Sequence, residues 1–431
     1  MASHETAINT SFDYSIKGIV LYTSDGNFID LRGMMLSLDI YEDIFSASMK
    51  GSIEISDGQD ILSVFKIHGN EYIEIELEKP TLDIAYKQSF RIYRVSDRSF
   101  INGSHHYKMY FCSEEFILSS QMMVSKSYKG MTTGNIISDI MSNILKANPK
   151  KLRGGVFERI DNPVDIIIPR MHPIEAIYWL LTRSFGVNNS LHFFYENRDG
   201  FNLRSFENLL KSSSYTTYYQ SIKTDAEPLN NYNRFTNLIV VEDFDLLKAS
   251  RFGTFSSHLV NLDIVSKKFV SYAHSAFQEK ASGLLNDELA MNNAINRVGG
   301  NMYSSFGGMA KYMITNDADT SRNPTSPEQW LMRKASKYGQ LQTYKMMGTI
   351  PGDPLVKAGM LVNVELPLMN PQEKQNVIMN DNRSGRYLVS AVHHSYKKNV
   401  HATVIEMLSD SISGNMNAPS NAPKLKELKE A

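Results

Sequence analysis

From Ile16 to about Ser119, apolar and polar residues alternate with a period of two, the pattern of strands with one buried face. Strands are expected over Ile16–Tyr22, Met34–Tyr41, Ala47–Ile55, Glu71–Leu77, Ser89–Val95 and Tyr107–Ser113. Ser24-Asp25-Gly26-Asn27, Asp57-Gly58, Gly69-Asn70 and Asn102-Gly103 supply turn chemistry between them. Short strands at regular turn spacing predict a barrel or a sandwich.

After Tyr128-Lys129-Gly130 the period changes. Ile136, Ile137, Ile140, Met141, Ile144 and Leu145 recur at helical spacing and form one apolar face. Asn148-Pro149 stops that helix, because the residue before proline avoids helical angles. A second helix starts near Pro173, which suits a first helical turn, and carries Ile174, Ile177, Tyr178, Leu181 and Phe185 on one stripe. Gly186-Val187-Asn188-Asn189 ends it. Alternation returns at Asn237–Val241 and Arg251–Asp263. A helical pattern (Leu284–Val298), a glycine-rich loop (Gly299–Gly308) and a polar stretch (Asn316–Pro327) follow, before a last β block from Gln340 to about Leu408. The terminal SGNMNAPSNAPKLKELKEA reads as a flexible tail.

Composition narrows the classes. The 431 residues are 42% hydrophobic, enough for a substantial core, and length alone suggests about three domains. Lys and Arg (45) nearly balance Asp and Glu (46), which argues against a protein whose affinity comes from neutralising phosphates. The densest basic cluster, Lys146, Lys150, Lys151 and Arg153, reads as a solvated loop ahead of a nucleic-acid contact. The single cysteine, Cys112, excludes an internal disulfide and a cysteine zinc cluster, and its strand-like setting predicts an inert buried thiol. The N-terminus lacks the basic and apolar regions of an export signal, and no apolar run approaches the roughly 20 residues of a membrane helix. The expectation is a soluble protein made in a cytosol.

One stretch concentrates candidate chemistry: LHFFYENRDGF, residues 191–201. Asp199-Gly200 between aromatic runs predicts a hairpin with a type I′ turn. Phe193 and Tyr195 would face one side, Phe194 and Glu196 the other, with Phe201 and Leu203 returning. Glu196, Arg198 and Asp199 are then exposed turn charges. A glycosidase needs two carboxyls about 5 to 9.5 Å apart on separate rigid elements, which one turn supplies poorly. His393, His394 and His401 flank a second hairpin at Tyr396–Asn399, and His105-His106 follow Asn102-Gly103. Neither group has acidic or cysteine partners at ligand spacing and HExxH is absent, so strand-surface histidines are expected. Gly299–Gly308 lacks the lysine and hydroxyl of a phosphate loop, and no GxSxG elbow occurs. The 22 methionines read as core or interface filler. No catalytic, cofactor-binding or metal-binding residue is expected, and no cofactor.

The order of these signatures resembles the central baseplate hub protein of contractile-tailed, T-even-like bacteriophages. Four stretches carry the likeness. They are Leu36–Phe45 leading into Gly51–Gly58; Met171–Phe185 followed by Phe194–Phe201; Arg251–Asp263; and Ile350–Gly359 followed by Gly385–Val389. Pro351, Pro354 and the Gly352-Asp353 turn predict a rigid loop between two strands, with Gly359 in a conformation closed to other residues. Ala47-Ser48-Met49-Lys50-Gly51-Ser52 is echoed by Ala249-Ser250-Arg251-Phe252-Gly253-Thr254, the trace a diverged duplication of strands would leave.

The resemblance implies an α+β, mainly β chain: two tail-tube-like β-barrel domains, an intervening α/β domain and an inserted helical/loop region. The expected boundaries are 1–119 for the first barrel, 120–228 for the middle domain with two helices and a hairpin, and 229–410 for the second barrel. That barrel carries an insertion at about 275–335, and 411–431 is the tail. Three such chains present six barrels, which adapts a hexameric tail tube to a trimeric central spike. The partners implied are two further copies, the spike, the tail tube or its initiator, and baseplate wedge and tape-measure proteins. DNA would pass through the lumen, which suits the near-neutral charge, and the place would be the virion baseplate, assembled in the bacterial cytoplasm. Murein degradation would belong to the spike or a companion. Rival readings are the hub of a secretion system or bacteriocin, a tail-associated peptidoglycan hydrolase, and a receptor-binding tail protein, whose usual repeats are missing here.

Overall fold

The computed structural model describes residues 14–79, 84–160, 163–184, 191–220, 233–243, 245–263, 267–276, 284–286, 288–289, 309–315, 327–367, 383–397 and 400–413. The first block is β1 (Ser15–Tyr22), β2 (Phe28–Asp30), β3 (Met35–Asp43), β4 (Lys50–Asp57), the short helix α1 (Ile61–Val64), β5 (Tyr72–Lys79), β6 (Ile84–Ile101) and β7 (Ser104–Cys112). A middle part follows with α2 (Glu114–Gln121), β8 (Val124–Thr132), α3 (Thr133–Asp139, continuing as a π turn through Ile144), α4 (Pro149–Gly154) and β9 (Pro163–Met171). It continues with α5 (Pro173–Arg183), β10 (His192–Asn197), β11 (Gly200–Ser205) and α6 (Phe206–Leu210). The last part holds β12 (Ser214–Tyr219), β13 (Asn237–Glu242), α7 (Leu246–Phe252), β14 (Ser256–Asp263), β15 (Lys268–Ser275), β16 (Glu288–Leu289) and β17 (Met309–Thr315). It ends with α8 (Pro327–Leu341), β18 (Tyr344–Pro351), β19 (Leu361–Glu365), β20 (Gly385–Lys397), β21 (Val400–Ser409) and β22 (Ser411–Ile412). The chain is mainly β, as its periodicity predicts.

The two β blocks share one sheet. Its strand order is β13-β18-β21-β20-β3-β4-β7-β6-β5-β1-β2, with β19 pairing β20 and β12 running parallel to β19. The junction is the antiparallel pair β3–β20, in which His394 lies opposite Ile40 and Tyr396 opposite Leu38. Alternation aims Ile73, Ile75 and Leu77 of β5 and Tyr107, Met109 and Phe111 of β7 into a first core, which Tyr396 of β20 also enters. A second core gathers α3, α5 and the middle strands, and a third fills the last block around Val362, Val389, Ile405 and Met407. A fourth lies between them, from Ile44 through Phe193 and Tyr195 to Leu361, Leu388 and Leu408.

Turn chemistry is realised at Asn102-Gly103 and at Gly359. Asn102 and Gly103 both take positive φ (51° and 82°) between the paired residues Ile101 and Ser104, as a type I′ turn requires. Gly359 has φ +88°, in the loop that joins β18 to β19. Ile136, Ile137, Ile140, Met141 and Leu145 are buried, as is the α5 stripe at Ile174, Ile177 and Leu181. Phe185 and Gly186–Asn189 lie outside the described residues, as do Gly299–Gly308 and the polar stretch from Asn316 to Ser326. Cys112 is buried, and burial pushes its thiol up to about 11.

Several expectations change. The basic cluster is not a solvated loop: Asn148 Oδ1 accepts from Lys150 N at 2.9 Å, Pro149 takes the first position, and a helix begins there. Ala47–Met49 precedes β4, and Arg251–Phe252 closes α7, so that β14 starts only at Ser256. The Ala-Ser-x-x-Gly echo therefore joins a strand entry to a helix end and marks no duplication. Glu288–Leu289, expected as helix, pairs instead with Ser411–Ile412, because Asp410 accepts from Leu285 N and Ser411 Oγ accepts from Asn286 N. Ser411 and Ile412, assigned to the tail, are thus buried strand, while 414–431 lie outside the described residues.

Candidate functional site

The stretch 191–201 is a hairpin, and its alternation is as expected: Phe194, Phe201 and Leu203 enter the second core, Phe193 and Tyr195 the fourth. Both faces are covered, however; at the tip Asp199 is exposed as expected, while Arg198 is half-buried. Asn197 pairs with Gly200, so the turn residues are Arg198 and Asp199, neither with positive φ. The expected type I′ geometry at Asp199-Gly200 is absent. Asn197 Oδ1 instead accepts from Asp199 N at 3.1 Å, an Asx turn, and also from Asn202 Nδ2 at 3.1 Å. Gly200 serves close approach: a Cβ there would sit 1.9 Å from the Lys151 carbonyl oxygen, and one on Gly155 would meet the Phe201 carbonyl oxygen at 1.7 Å. Helix α4 and the hairpin thus touch backbone to backbone.

Glu196, expected as an exposed charge, is fully buried. Its Oε2 accepts from Met49 N at 2.9 Å and from Ser113 Oγ, while Lys151 Nζ lies 2.8 Å from its Oε1. Lys151 also reaches Glu115 Oε2 at 2.9 Å, and Glu115 Oε1 accepts from Asn148 N at 3.2 Å. Burial raises the Glu196 pKa, and the Lys151 charge offsets part of that rise. Burial alone would lower Lys151; Glu196 and Glu115 together hold it above its ordinary value. This is a paired charge with no open face, so it can hold elements together but cannot reach a substrate.

A second buried carboxylate anchors the other flank. Glu42 Oε1 accepts from Arg198 N and Oε2 from Ala358 N, both at 3.0 Å. Burial pushes its pKa up to about 7 against the opposing charges of Arg198 and Lys357. Lys357 itself pairs with the exposed Asp199 at 2.7 Å, and Asn197 Nδ2 donates to Ala358 O at 3.4 Å. A Cβ on Gly359 would lie 2.2 Å from Tyr195 Oη. The hairpin therefore touches the first block through Glu42, Met49 and Ser113, the middle helices through Lys151, and the last block through Ala358. Sequence reasoning found the hairpin but missed Glu42, Lys151 and Glu115, whose partners lie far off in the chain.

The histidines also need correction. His394 and His401 are buried, Nδ1 of one lying 3.2 Å from Nε2 of the other and both within reach of Thr403 Oγ1. Burial, then the neighbouring charges of Lys79 and Arg198, lowers His401 to about 3, so it is neutral. His393 Nε2 lies 2.8 Å from Asp39 Oδ1 across the β3–β20 junction, and its ring stacks on Tyr41. Among the described residues no group of three or more His, Cys, Asp or Glu is placed to hold a metal ion, and no helix is long and apolar enough to cross a membrane.

The fold as a whole is similar to that of two solved tail proteins. One, from Neisseria meningitidis MC58, superposes with a TM-score of 0.54 at 11% identity, over 92% of this chain and 97% of that one. The other, the 43 kDa tail protein of prophage MuSo2 from Shewanella oneidensis, gives 0.53 at 9% identity, over 91% of this chain and 98% of that one. No protein-family model matches the chain. No curated protein matches it either. The likeness to tail proteins suggested by the sequence holds at the level of the fold.

Removing one partner of a buried pair leaves the other charge uncompensated, at about 3–5 kcal/mol. Lys151→Met is expected to lower unfolding free energy by that amount, and Lys151→Met with Glu196→Gln to recover part of it. Chemical denaturation of the three proteins checks this. Equal losses in the single and double variants would remove Glu196 as the cause.

Glu42 predicts a pH dependence. Its folded pKa of about 7 exceeds the ordinary 4.5, so the folded state keeps a proton that the unfolded state releases. The stability this provides is complete below pH 4.5 and is lost as pH rises through 7, by about 3 kcal/mol in all. Glu42→Gln lowers stability overall, since one amide oxygen must serve two N–H groups, but it should flatten this slope. Denaturation between pH 4.5 and 8 measures it; identical slopes would place the proton elsewhere.

Proposed function

We propose that the chain is a structural component of a contractile tail: a homotrimeric baseplate hub that adapts a hexameric tube to a trimeric spike. The observation that carries this reading is the end-to-end likeness of fold to two tail proteins, together with two β blocks set side by side in one sheet. Each block has its own core, which supports a division near 1–119, 120–228 and 229–410. In this reading the two β blocks serve as two tube-like units per chain, and three chains then give six positions about a threefold axis, the requirement for joining the two symmetries.

In this reading the acids of the hairpin and the buried histidines hold the blocks together and catalyse nothing. The neighbours are the spike, the tube or its initiator, and wedge and tape-measure proteins. DNA passes through a lumen whose near-neutral chain does not retain it.

Mass photometry of the protein alone and co-expressed with its spike is expected to give threefold multiples of 48.9 kDa, in the second sample if not in the first. A monomer in both would contradict the hub reading.

A further inference from the structure

Two imidazoles are enclosed where the β blocks meet. His394 on β20 and His401 on β21 are each 2% exposed, and His394 Nδ1 lies 3.2 Å from His401 Nε2. Thr403 Oγ1 closes the triangle at 3.3 and 3.4 Å and accepts from Asp353 N at 3.1 Å. Tyr396 stacks on the His401 ring at 4.3 Å, and Tyr14, just before β1, stands edge-on to it at 6.0 Å. A Cβ on Gly352 would lie 2.3 Å from His401 Cγ, so the loop after β18 presses on the same ring. Lys79, at the end of β5, donates to Gly352 O at 3.0 Å. The pair thus sits where Tyr14 and Lys79 of the first block grip the β20–β21 hairpin of the last.

These surroundings suit neutral rings. The charges that act most on them are positive: Lys79 and Arg198, and His393 when protonated. The nearby carboxylates are engaged elsewhere. Glu42 accepts two backbone N–H groups, and Asp353 accepts from Leu355 N at 2.9 Å and Tyr215 Oη at 3.0 Å. Glu78 pairs with Lys17, and Asp39 bonds His393 on the opposite face of β20. Burial raises Tyr14, Tyr86 and Tyr396, which stay neutral. The adjoining cleft has about 20 Å³ of free space, room for about one water and too little to hydrate an imidazolium. Burial, then the partner ring and Arg198, push His394 well below its ordinary value, with the Val356 backbone offsetting part of this. Burial, then Lys79 and Arg198, lower His401 to about 3.

We propose that the pair is an acid-operated clasp: neutral rings hold the end of the β20–β21 hairpin on the first block, and mild acid releases that end while the Glu196 hairpin stays packed. A ring freed from the clasp regains its ordinary proton affinity, near pH 6.5, so opening takes up one proton per ring. The hold is complete above pH 6.5 and is lost as pH falls toward 3. Global unfolding takes up the same protons but also gives up those that Glu42 and, in part, Glu196 hold because burial raises them. The bonds of Glu42 run to Arg198 and Ala358, and no histidine belongs to the Glu196 cluster. Falling pH therefore favours opening of the clasp over global unfolding.

Amide exchange of the full chain, read by mass spectrometry and corrected for the intrinsic effect of pH, tests this. At pH 7, peptides covering 392–397 and 400–405 should show the same denaturant dependence as 192–205. Between pH 6 and 5 the opening constant of 392–397 and 400–405 should rise up to about a hundredfold and lose that dependence, since each proton taken up gives about tenfold per pH unit. Residues 192–205 should change at most about tenfold and keep it. His401→Phe, which keeps a flat ring against Tyr396 but binds no proton, should reduce the rise about tenfold in the same buffers. An opening constant that stays flat in the wild type, or one that rises in step with 192–205 at a common denaturant dependence, would overturn the proposal even if His401→Phe does not fold. An undiminished rise in a folded His401→Phe would overturn it as well.

Discussion

A carboxylate taken fully out of water must be compensated at both oxygens, or several kcal/mol of lost hydration oppose folding. Glu196 meets this demand from three separated parts of the chain: Met49 N at the entry to β4, Ser113 at the end of β7, and Lys151 on α4. None of those partners can move without exposing or orphaning the charge. The hairpin that carries it is packed on both faces, so its register is fixed by two cores at once. Glu42 repeats the device from the opposite side, gripping the hairpin tip and the loop before β19. The relative placement of the blocks thus depends on a few buried polar contacts as well as on apolar area.

Periodicity made the strands and the two long helical faces legible, because alternation and helical spacing are local consequences of burying one face. Asn102-Gly103 and Gly359 were legible for a different reason: backbone geometry at a turn is dictated by the residue that occupies it. What the chain does not display locally is which polar residues are enclosed. Glu196, Arg198 and Asp199 look alike as turn charges, and only partners 45 to 158 residues away separate the buried one from the exposed one. The same holds for His394 and His401, whose rings meet each other and Thr403 and are covered by Tyr14 and Tyr396. An Asp-Gly pair implied a type I′ turn, yet Gly200 was required by helix α4 pressing on the hairpin backbone.

The two blocks are tied along their seam as well as at the hairpin. One continuous sheet runs across both β blocks, and its junction strands carry the His393–Asp39 contact and Tyr396 inserted into the neighbouring core. Bending one block against the other would break ladder hydrogen bonds and uncover charges at the hairpin.

Native-state amide hydrogen exchange tests most directly whether the hairpin holds the blocks together. Amides of Phe193, Tyr195, Asn202 and Leu203 should exchange only through global unfolding, with the same free energy and denaturant dependence as those of β4 and β20. Exchange of the hairpin amides by a lower-energy local opening, while β4 and β20 stay protected, would contradict it.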